Sequence, residues 1–437
     1  MRRTEQRLLI LASLVNLASF LIIDLSARGY FSVIGFVIPL ALAGIFFGFH
    51  FILVKYRPAA DQLLLPAAAI LTALGVAMIY RLTGGTGALQ QTIWVFISLI
   101  AAAVVLIKLP NTRVLLRTPL VFMLAGLLLL AAPFLPVIGA TINGATLWLR
   151  VGPLSLQPAE FAKVVLIIGF AGYLAKHQSQ LTFIQRKILG IELPRAKDIL
   201  PLLIVWAVSL IILVGQRDLG TSLLFFASAV LLLYITTARS SWLVIGFVLL
   251  ILGGAAATAI FDHVQQRFNI WLDPFADVAG SGFQVVQAIY GFAAGGIFGT
   301  GLGKGNSNLV PYAESDFIFA AIAEELGLVG AAAVILLYGL VITKAIKTAA
   351  VGRSAGNSLI ASGIAIFMFL QVLITVGGVS GALPITGLTT IFLSAGGSSL
   401  VASWILIAIL FVLQDQDHAL SNITTPLSDD QTRAIKL

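Results

Sequence analysis

Glu160 and Lys163 stand three residues apart at the start of an apolar run, with Gln157, Pro158 and Ala159 just before them. That spacing is close to one helical turn, so carboxylate and ammonium share a face. Pro158 suits a first helical turn, where its missing N–H is no loss. The plainest reading of the pair is an intrahelical salt bridge. Asp316 opens another apolar run within Glu314, Ser315, Asp316, Phe317, Ile318, Phe319 and Ala320, and Glu324 and Glu325 follow two turns deeper. Taken alone, Asp316 is an N-terminal helix acid favoured by the dipole, and at least one of the two adjacent glutamates caps or braces a neighbouring helix. The chemical alternative is a carboxylate in a low-dielectric rim opposite a second carboxylate, with a raised pKa and the capacity to act as a base near neutral pH. Gln216, Arg217, Asp218, Leu219, Gly220 and Thr221 fill a tight turn between two apolar runs. Trp271 to Phe275, followed by Gly282, Phe283, Gln284 and Gln287, reads as an interfacial aromatic loop and helix whose default role is anchoring.

Hydrophobic residues occupy 59% of the 437 positions and charged residues 10%, which would leave a soluble domain without a polar coat. Apolar stretches near 8–23, 31–54, 64–80, 91–107, 118–135, 157–175, 199–214, 219–237, 242–260, 316–343, 358–379 and 396–413 are each long enough to cross a hydrocarbon core of roughly 30 Å as a helix. The expected fold is an all-α polytopic membrane protein of about twelve transmembrane helices. Ionisable groups inside such spans are costly and face a protein or water-filled interior, which singles out the few named above. Arg2, Arg3 and Arg7 precede the first span, but no small-residue cleavage site leads into a soluble domain, so that span reads as a retained helix.

Of the 26 Lys and Arg, nineteen fall in segments on the N-terminal side of alternate spans; Arg28, Arg81, Arg150, Arg217, Arg267 and Lys304 fall on the other side, and Lys163 lies within a span. This bias predicts both termini in the cytoplasm. The net charge of +8 then meets anionic lipid headgroups and requires no nucleic acid. With no cysteine there are no disulfides, thiol catalysis or thiolate metal sites, and the four histidines form no ligand pair at helical spacing. No soluble domain stands out, and the longest cytoplasmic loop, about 176–198, is short and basic. The outer segments 136–156 and about 262–315 stand apart, the second rich in glycine and suited to lie on or dip into the bilayer rim.

The motifs also fall in a recognisable order. Asn143, Gly144 and Ala145 precede Trp148; then come Gln157 to Glu160 with Lys163, and Gln216, Asp218, Gly220 and Thr221. Asp273, Pro274 and Phe275 lead to Gly282, Phe283, Gln284 and Gln287, followed by Gly301, Leu302, Gly303 and Gly305, and by Ser315 to Ala320. Glu324 to Gly327, then Pro384, Thr386 and Gly387, and finally Ser394 to Ser399 complete the series. From residue 64 to about 414 this order resembles the RodA/FtsW/SpoVE family, the SEDS (shape, elongation, division and sporulation) proteins. Ala395 stands where relatives commonly have Tyr, Thr389 and Ile391 where they have Pro, Thr375 where they have Asn, and Glu314 where they have His. The resemblance implies a ten-helix core over 61–414, two additional helices in 1–60 and a cytoplasmic tail from 415 to 437. Asp61 to Leu65 and Met78 to Arg81 are closer to the elongation-type RodA proteins of actinobacteria than to division-type FtsW.

What the resemblance implies for activity is a peptidoglycan glycosyltransferase that polymerises lipid II at the outer face of the bacterial cytoplasmic membrane. Asp316 is the expected base toward the acceptor sugar, with Glu160 tuning it or sharing a divalent cation, magnesium or manganese, and Lys163 restraining Glu160. Trp148, Gln157, Arg217, Asp218, Gln284, Gln287 and Ser398 are the further substrate-binding candidates; Lys163, Arg217 and Arg267 are candidate phosphate contacts. Expected partners are lipid II, the growing glycan strand, membrane lipids and a class B penicillin-binding protein, since the chain carries no transpeptidase domain. A flippase for lipid-linked precursor is the rival from another class, and a catalytically silent scaffold is a third.

Overall fold

The computed structural model of the chain describes residues 2–136, 138–142, 144–152, 154–182, 186–188, 191–193, 195–352 and 354–424. Asn143 of the first motif, the cations Arg353, Arg433 and Lys436, and the tail beyond 424 lie outside the described residues.

Helices α1 (Arg3–Ile23) and α2 (Val33–Tyr56) form an N-terminal hairpin, joined by a π turn at Asp24–Arg28. The Ser32 side chain caps α2 by accepting the Gly35 N–H at 3.0 Å. Helix α3 (Leu64–Lys108) has 45 residues, which as one rod would reach about 68 Å, roughly twice a hydrocarbon core. It breaks at Gly84 (φ 78°, ψ −167°), a conformation open only to glycine. The expected third and fourth spans are its two limbs. The short α4 (Arg113–Arg117) and α5 (Pro119–Ala131), the latter extended by a 3₁₀ turn at Ala132–Phe134, complete the first third of the chain.

Next come α6 (Pro158–Lys176), α7 (Gln178–Thr182), α8 (Ala196–Gly215), α9 (Leu219–Thr237) and α10 (Ser241–Ile260). The long outer segment folds into α11 (Asp262–Leu272), a 3₁₀ turn at Pro274–Asp277, α12 (Phe283–Gly295) and a glycine-rich turn. Helices α13 (Ile318–Val351), α14 (Ala355–Val379) and α15 (Gly397–Thr424) follow, α13 being broken at Gly327.

Ten helices among the described residues are long and apolar enough to cross a membrane, α3 among them, and α5 with its 3₁₀ extension is a shorter apolar piece. Their packing is uneven. In α6, α14 and α15 the most apolar window is 83% buried against other helices, whereas in α10 it is 6% buried. The first three therefore form the centre and α10 the rim. Helices α5 and α6 approach closely at small residues: a side chain at Gly126 would meet Leu166 at 2.4 Å, and one at Gly169 would meet Met123 at 2.8 Å.

Short strands add to the helical frame in two places where sequence reading showed only loops. Between α5 and α6, β1 (Gly139–Ile142), β2 (Ala145–Val151) and β3 (Leu154–Leu156) make an antiparallel sheet, with Gly144 in the left-handed region at the first turn (φ 77°). Between α7 and α8, β4 (Arg186–Ile188) pairs with β5 (Ile191–Leu193). Strands this short carry no periodicity long enough to distinguish them from loop.

Candidate active site

Three helix starts carry the acidic residues: α6, α9 and α13. At α6, Pro158 occupies the first turn and the Gln157 N–H donates to Ser398 Oγ at 3.0 Å, tying that end to the start of α15. One turn in, Lys163 Nζ donates to Glu160 Oε1 at 2.6 Å. Both side chains are buried, and the ammonium lies 5.1 Å from the centre of the Phe367 ring. The salt bridge read from spacing alone is thus present, inside the helix bundle.

At α9, Asp218 is the cap. Its Oδ1 accepts the Thr221 N–H at 2.9 Å, while its Oδ2 is buried with no hydrogen-bond partner among the described residues. Burial pushes this carboxyl above the usual range; the Thr221 bonds and the charge of Lys163 pull it back, and Glu160 pushes it further up. Asp218 therefore shares an electrostatic environment with the Glu160–Lys163 pair.

Asp316 lies two residues before α13. The backbone around it is fixed by the loop before α15: Ser394 Oγ donates to the Ser315 carbonyl at 2.6 Å and the Ala395 N–H to the Glu314 carbonyl at 2.8 Å. Part of Asp316 reaches a cavity, yet its carboxyl is surrounded by protein, and burial raises its pKa to about 6. A hydrogen bond with Ser315 and the charge of Arg267 oppose that rise, and Glu314 adds to it.

Arg267, on α11, connects these two carboxylates. Its Nη1 donates to the carbonyls of Thr386 at 2.9 Å and Ile385 at 3.3 Å. Burial lowers its pKa, and the charges of Asp218 and Asp316 both counter the shift. The loop at 385–387 is pinned from the other side by α9, where a side chain on Gly220 would collide with Leu388 at 2.7 Å and Thr386 at 3.0 Å. A chain of charge thus runs from Glu160 and Lys163 through Asp218 and Arg267 to Asp316.

The cavity in front of Asp316 measures about 460 Å³, and His263, Gln266, Arg267, Trp271, Gln284 and Asp316 supply its polar and aromatic lining. Four of these lie on α11 at 263, 266, 267 and 271, spacing that places them on one helical face. The sequence held that signal at 263, 266 and 267, while Trp271 was read as part of an anchoring loop. Burial and the charges of Arg217 and Arg267 hold His263 below its usual pKa.

The remaining candidates divide. Gln284 lines the cavity; Gln287, Trp148, Gln157, Ser398, Arg217, Asp218, Glu160 and Lys163 do not. Trp148 sits in β2 opposite Ala140. The Arg217 guanidinium faces the β1–β2 turn, 3.6 Å from where a side chain on Gly144 would begin. Glu160 accepts from Lys163, and among the described residues no group of three or more His, Asp or Glu is placed to hold a metal.

Glu324 and Glu325 brace the glycine turn. Glu324 accepts from Asn306 N (2.6 Å) and Ser307 Oγ (2.6 Å), and Glu325 accepts from Gly303 N (2.8 Å) and Arg81 Nε (3.0 Å).

The family model described as "Cell cycle protein", that of FtsW, RodA and SpoVE, matches residues 61–419. The peptidoglycan glycosyltransferase RodA of Mycobacterium tuberculosis is 41% identical over 429 residues, covering 94% of this chain and 89% of its own. The probable peptidoglycan glycosyltransferase FtsW of Coxiella burnetii is 36% identical over 296 residues, covering 66% of this chain and 76% of its own. Among solved structures, one from work on the structural coordination of polymerization and crosslinking by a peptidoglycan synthase complex superposes with a TM-score of 0.67 at 26% identity, covering 82% of this chain and 99% of that one. The rod shape determining protein RodA of Thermus thermophilus shares the fold, with a TM-score of 0.59 at 24% identity over 82% of this chain and 97% of its own.

Proposed function

We propose, from the premise that the chain belongs to the FtsW/RodA/SpoVE family, that Asp316 is the general base of a glycosyl transfer carried out in the cavity beneath α11. The protein is a peptidoglycan glycosyltransferase of the multi-pass membrane class. The observation that carries the role of Asp316 is a carboxylate with a pKa of about 6 that reaches a cavity of about 460 Å³. At neutral pH such a group is ionised and still basic enough to accept a proton.

The substrate in this reading is lipid II. The acceptor 4-hydroxyl oxygen attacks the anomeric carbon of the growing strand, and its proton passes to Asp316. The bond from that carbon to the pyrophosphate breaks, and polyprenyl pyrophosphate leaves with the electron pair. Arg267, held by the 385–386 carbonyls, lies beside the reacting carboxylate and offers positive charge to the leaving group. Gln284, Gln266 and Trp271 line the space a sugar would occupy. Asp218, itself under the charges of Glu160 and Lys163, acts with Asp316 on Arg267. A divalent cation, in this proposal, would arrive with the pyrophosphate, with Asp316 and Glu160 as its candidate protein ligands, and would help neutralise the leaving group.

Counting the two limbs of α3 and the shorter α5 as separate spans gives twelve crossings and returns both termini to the cytoplasmic side, which the Lys and Arg bias supports. The membrane in this reading is the bacterial cytoplasmic membrane, and crosslinking falls to a class B penicillin-binding protein. The solved complex that this chain resembles, described as coordinating polymerization with crosslinking, supports such a partner.

A flippase would need polar groups spread through the membrane depth. The buried charges linked to the cavity gather at the starts of α6, α9 and α13, which favours surface chemistry over passage. Purified protein in detergent, supplied with lipid II, should form polymer with no second compartment present; transport confined to sealed vesicles, without polymer in detergent, overturns this reading.

A further inference from the structure

The N-terminal hairpin precedes the stretch matched by the family model, which begins at residue 61. Its outer turn nevertheless enters the hydrogen-bond system that shapes the segment leading to Asp316. Asp24, fully buried, accepts from Tyr80 OH at 2.6 Å, Arg28 Nη1 at 3.0 Å, and Ser32 N and Oγ, each at 2.8 Å. Tyr80 stacks on Phe20 of α1, their ring centres 4.8 Å apart. The next residue, Arg81, donates to Glu325 Oε1 at 3.0 Å and to the Gly305 carbonyl at 2.8 Å. Ser26, in the same outer turn, has its hydroxyl 2.5 Å from the Leu302 carbonyl and 2.7 Å from the Ile22 carbonyl of its own helix, which compete for its one hydrogen.

The target of these contacts is a segment with little intrinsic order. Gly299, Gly301 and Gly303 all have positive φ (82°, 99° and 82°), and glycine loses more backbone freedom on ordering than any other residue. Three side chains from outside hold the turn: Glu325 on Gly303 N, Arg81 on Gly305 O and Ser26 on Leu302 O. The approach is close, since a side chain on Gly303 would lie 2.1 Å from Ser26 Oγ and 3.4 Å from Ile23 Cα. Glu324 and Glu325 sit in the first limb of α13, before its break at Gly327, and Asp316 lies two residues before that limb begins.

We propose that the outer turn of the N-terminal hairpin is a positioning element for the catalytic segment, with Ser26 and Asp24 holding the Gly301–Gly305 turn against Glu325 and so fixing the limb of α13 that follows Asp316. Ser26 is the contact to remove, because its hydroxyl is the hairpin's hydrogen bond to the turn. Its effect on rate rests on the proposed role of Asp316; its effect on the turn does not.

The test compares Ser26→Ala with Ser26→Thr, which keeps the hydroxyl, and with Ser13→Ala, which removes a hydroxyl bonded to Leu9 O inside α1 and remote from the turn. Amide hydrogen exchange of residues 300–306 and steady-state polymerisation of lipid II are measured on each full-length protein. Ser26→Ala should exchange roughly five-fold faster across 300–306, the worth of one hydrogen bond, with kcat lowered several-fold and KM unchanged. Ser26→Thr should restore both readings, and Ser13→Ala should alter neither. Unchanged exchange in Ser26→Ala overturns the clamp, and faster exchange with unchanged kcat overturns its link to the site. Full activity of Asp316→Asn would instead remove the catalytic assignment while leaving the exchange result standing.

Discussion

Asp316 and Arg267 face each other across one glycine: a side chain starting at Gly387 would have Asp316 Oδ2 at 3.8 Å and Arg267 Nη2 at 3.9 Å. Gly387 has φ 76°, so the position both suits glycine and keeps the space between acid and cation open. The guanidinium is anchored by the carbonyls of Ile385 and Thr386, just before that glycine. The carboxylate and its neighbouring cation are thus held by the same loop.

With Asp316 near pKa 6, the polymerisation rate should rise with pH through about 6 and level off above it, because only the ionised carboxylate accepts a proton. A rate constant flat from pH 5 to 8 would contradict this. Stability carries the opposite sign. The folded pKa exceeds the ordinary value of 3.8, so the folded state binds more protons and this residue's contribution to stability falls as pH rises from 3.8 to about 6. Asp316→Asn should therefore melt no lower than the parent at pH 7.5, measured by thermal unfolding in detergent.

Arg267 opposes the upward shift of Asp316. Arg267→Gln should move the acidic limb of the pH–rate profile to higher pH and slow the reaction at neutral pH. Asp218→Asn should move the limb the other way, since Arg267 then has one carboxylate fewer to serve. Limbs that stay in place in both variants, read from complete pH–rate profiles, would exclude the electrostatic link.

The Glu160–Lys163 pair is buried at both ends, so losing one partner strands a charge and should cost about 3–5 kcal/mol. Glu160→Gln and Lys163→Met should each lower the melting temperature, and the double variant should recover most of the loss. If each single variant melts like the parent, the pair does not stabilise the bundle.

The described residues build no metal centre, so chelation should leave the melting temperature unchanged while slowing the polymerisation that depends on a pyrophosphate-bound cation. A drop in melting temperature with EDTA, reversed by magnesium, would reveal a resident ion instead.

How far the site was legible in sequence depended on contrast. Glu160, Lys163 and Asp316 stand out because charge is rare within or beside long apolar runs, and the bracing role of Glu324 and Glu325 followed from two adjacent acids being unable to face the same way. Arg267 was a phosphate candidate by charge alone, and His263 was obscured because α11 mixes polar and apolar residues and is too short to span. Their common face matters only once the 385–387 loop and α13 are folded against it. Ser398 shows the complementary case: its hydroxyl accepts the Gln157 N–H, a pairing across 241 residues that local pattern cannot reveal. Strands β1 to β3 were missed because three to seven residues are too few to establish a period.

The most direct test is polymer formation from purified lipid II by the parent and by Asp316→Asn, each shown to be folded by its melting curve. The parent is predicted to build glycan strands and the Asn variant, equally stable, none. Strands made by Asp316→Asn at the parent rate would contradict the assignment of this carboxylate as the base.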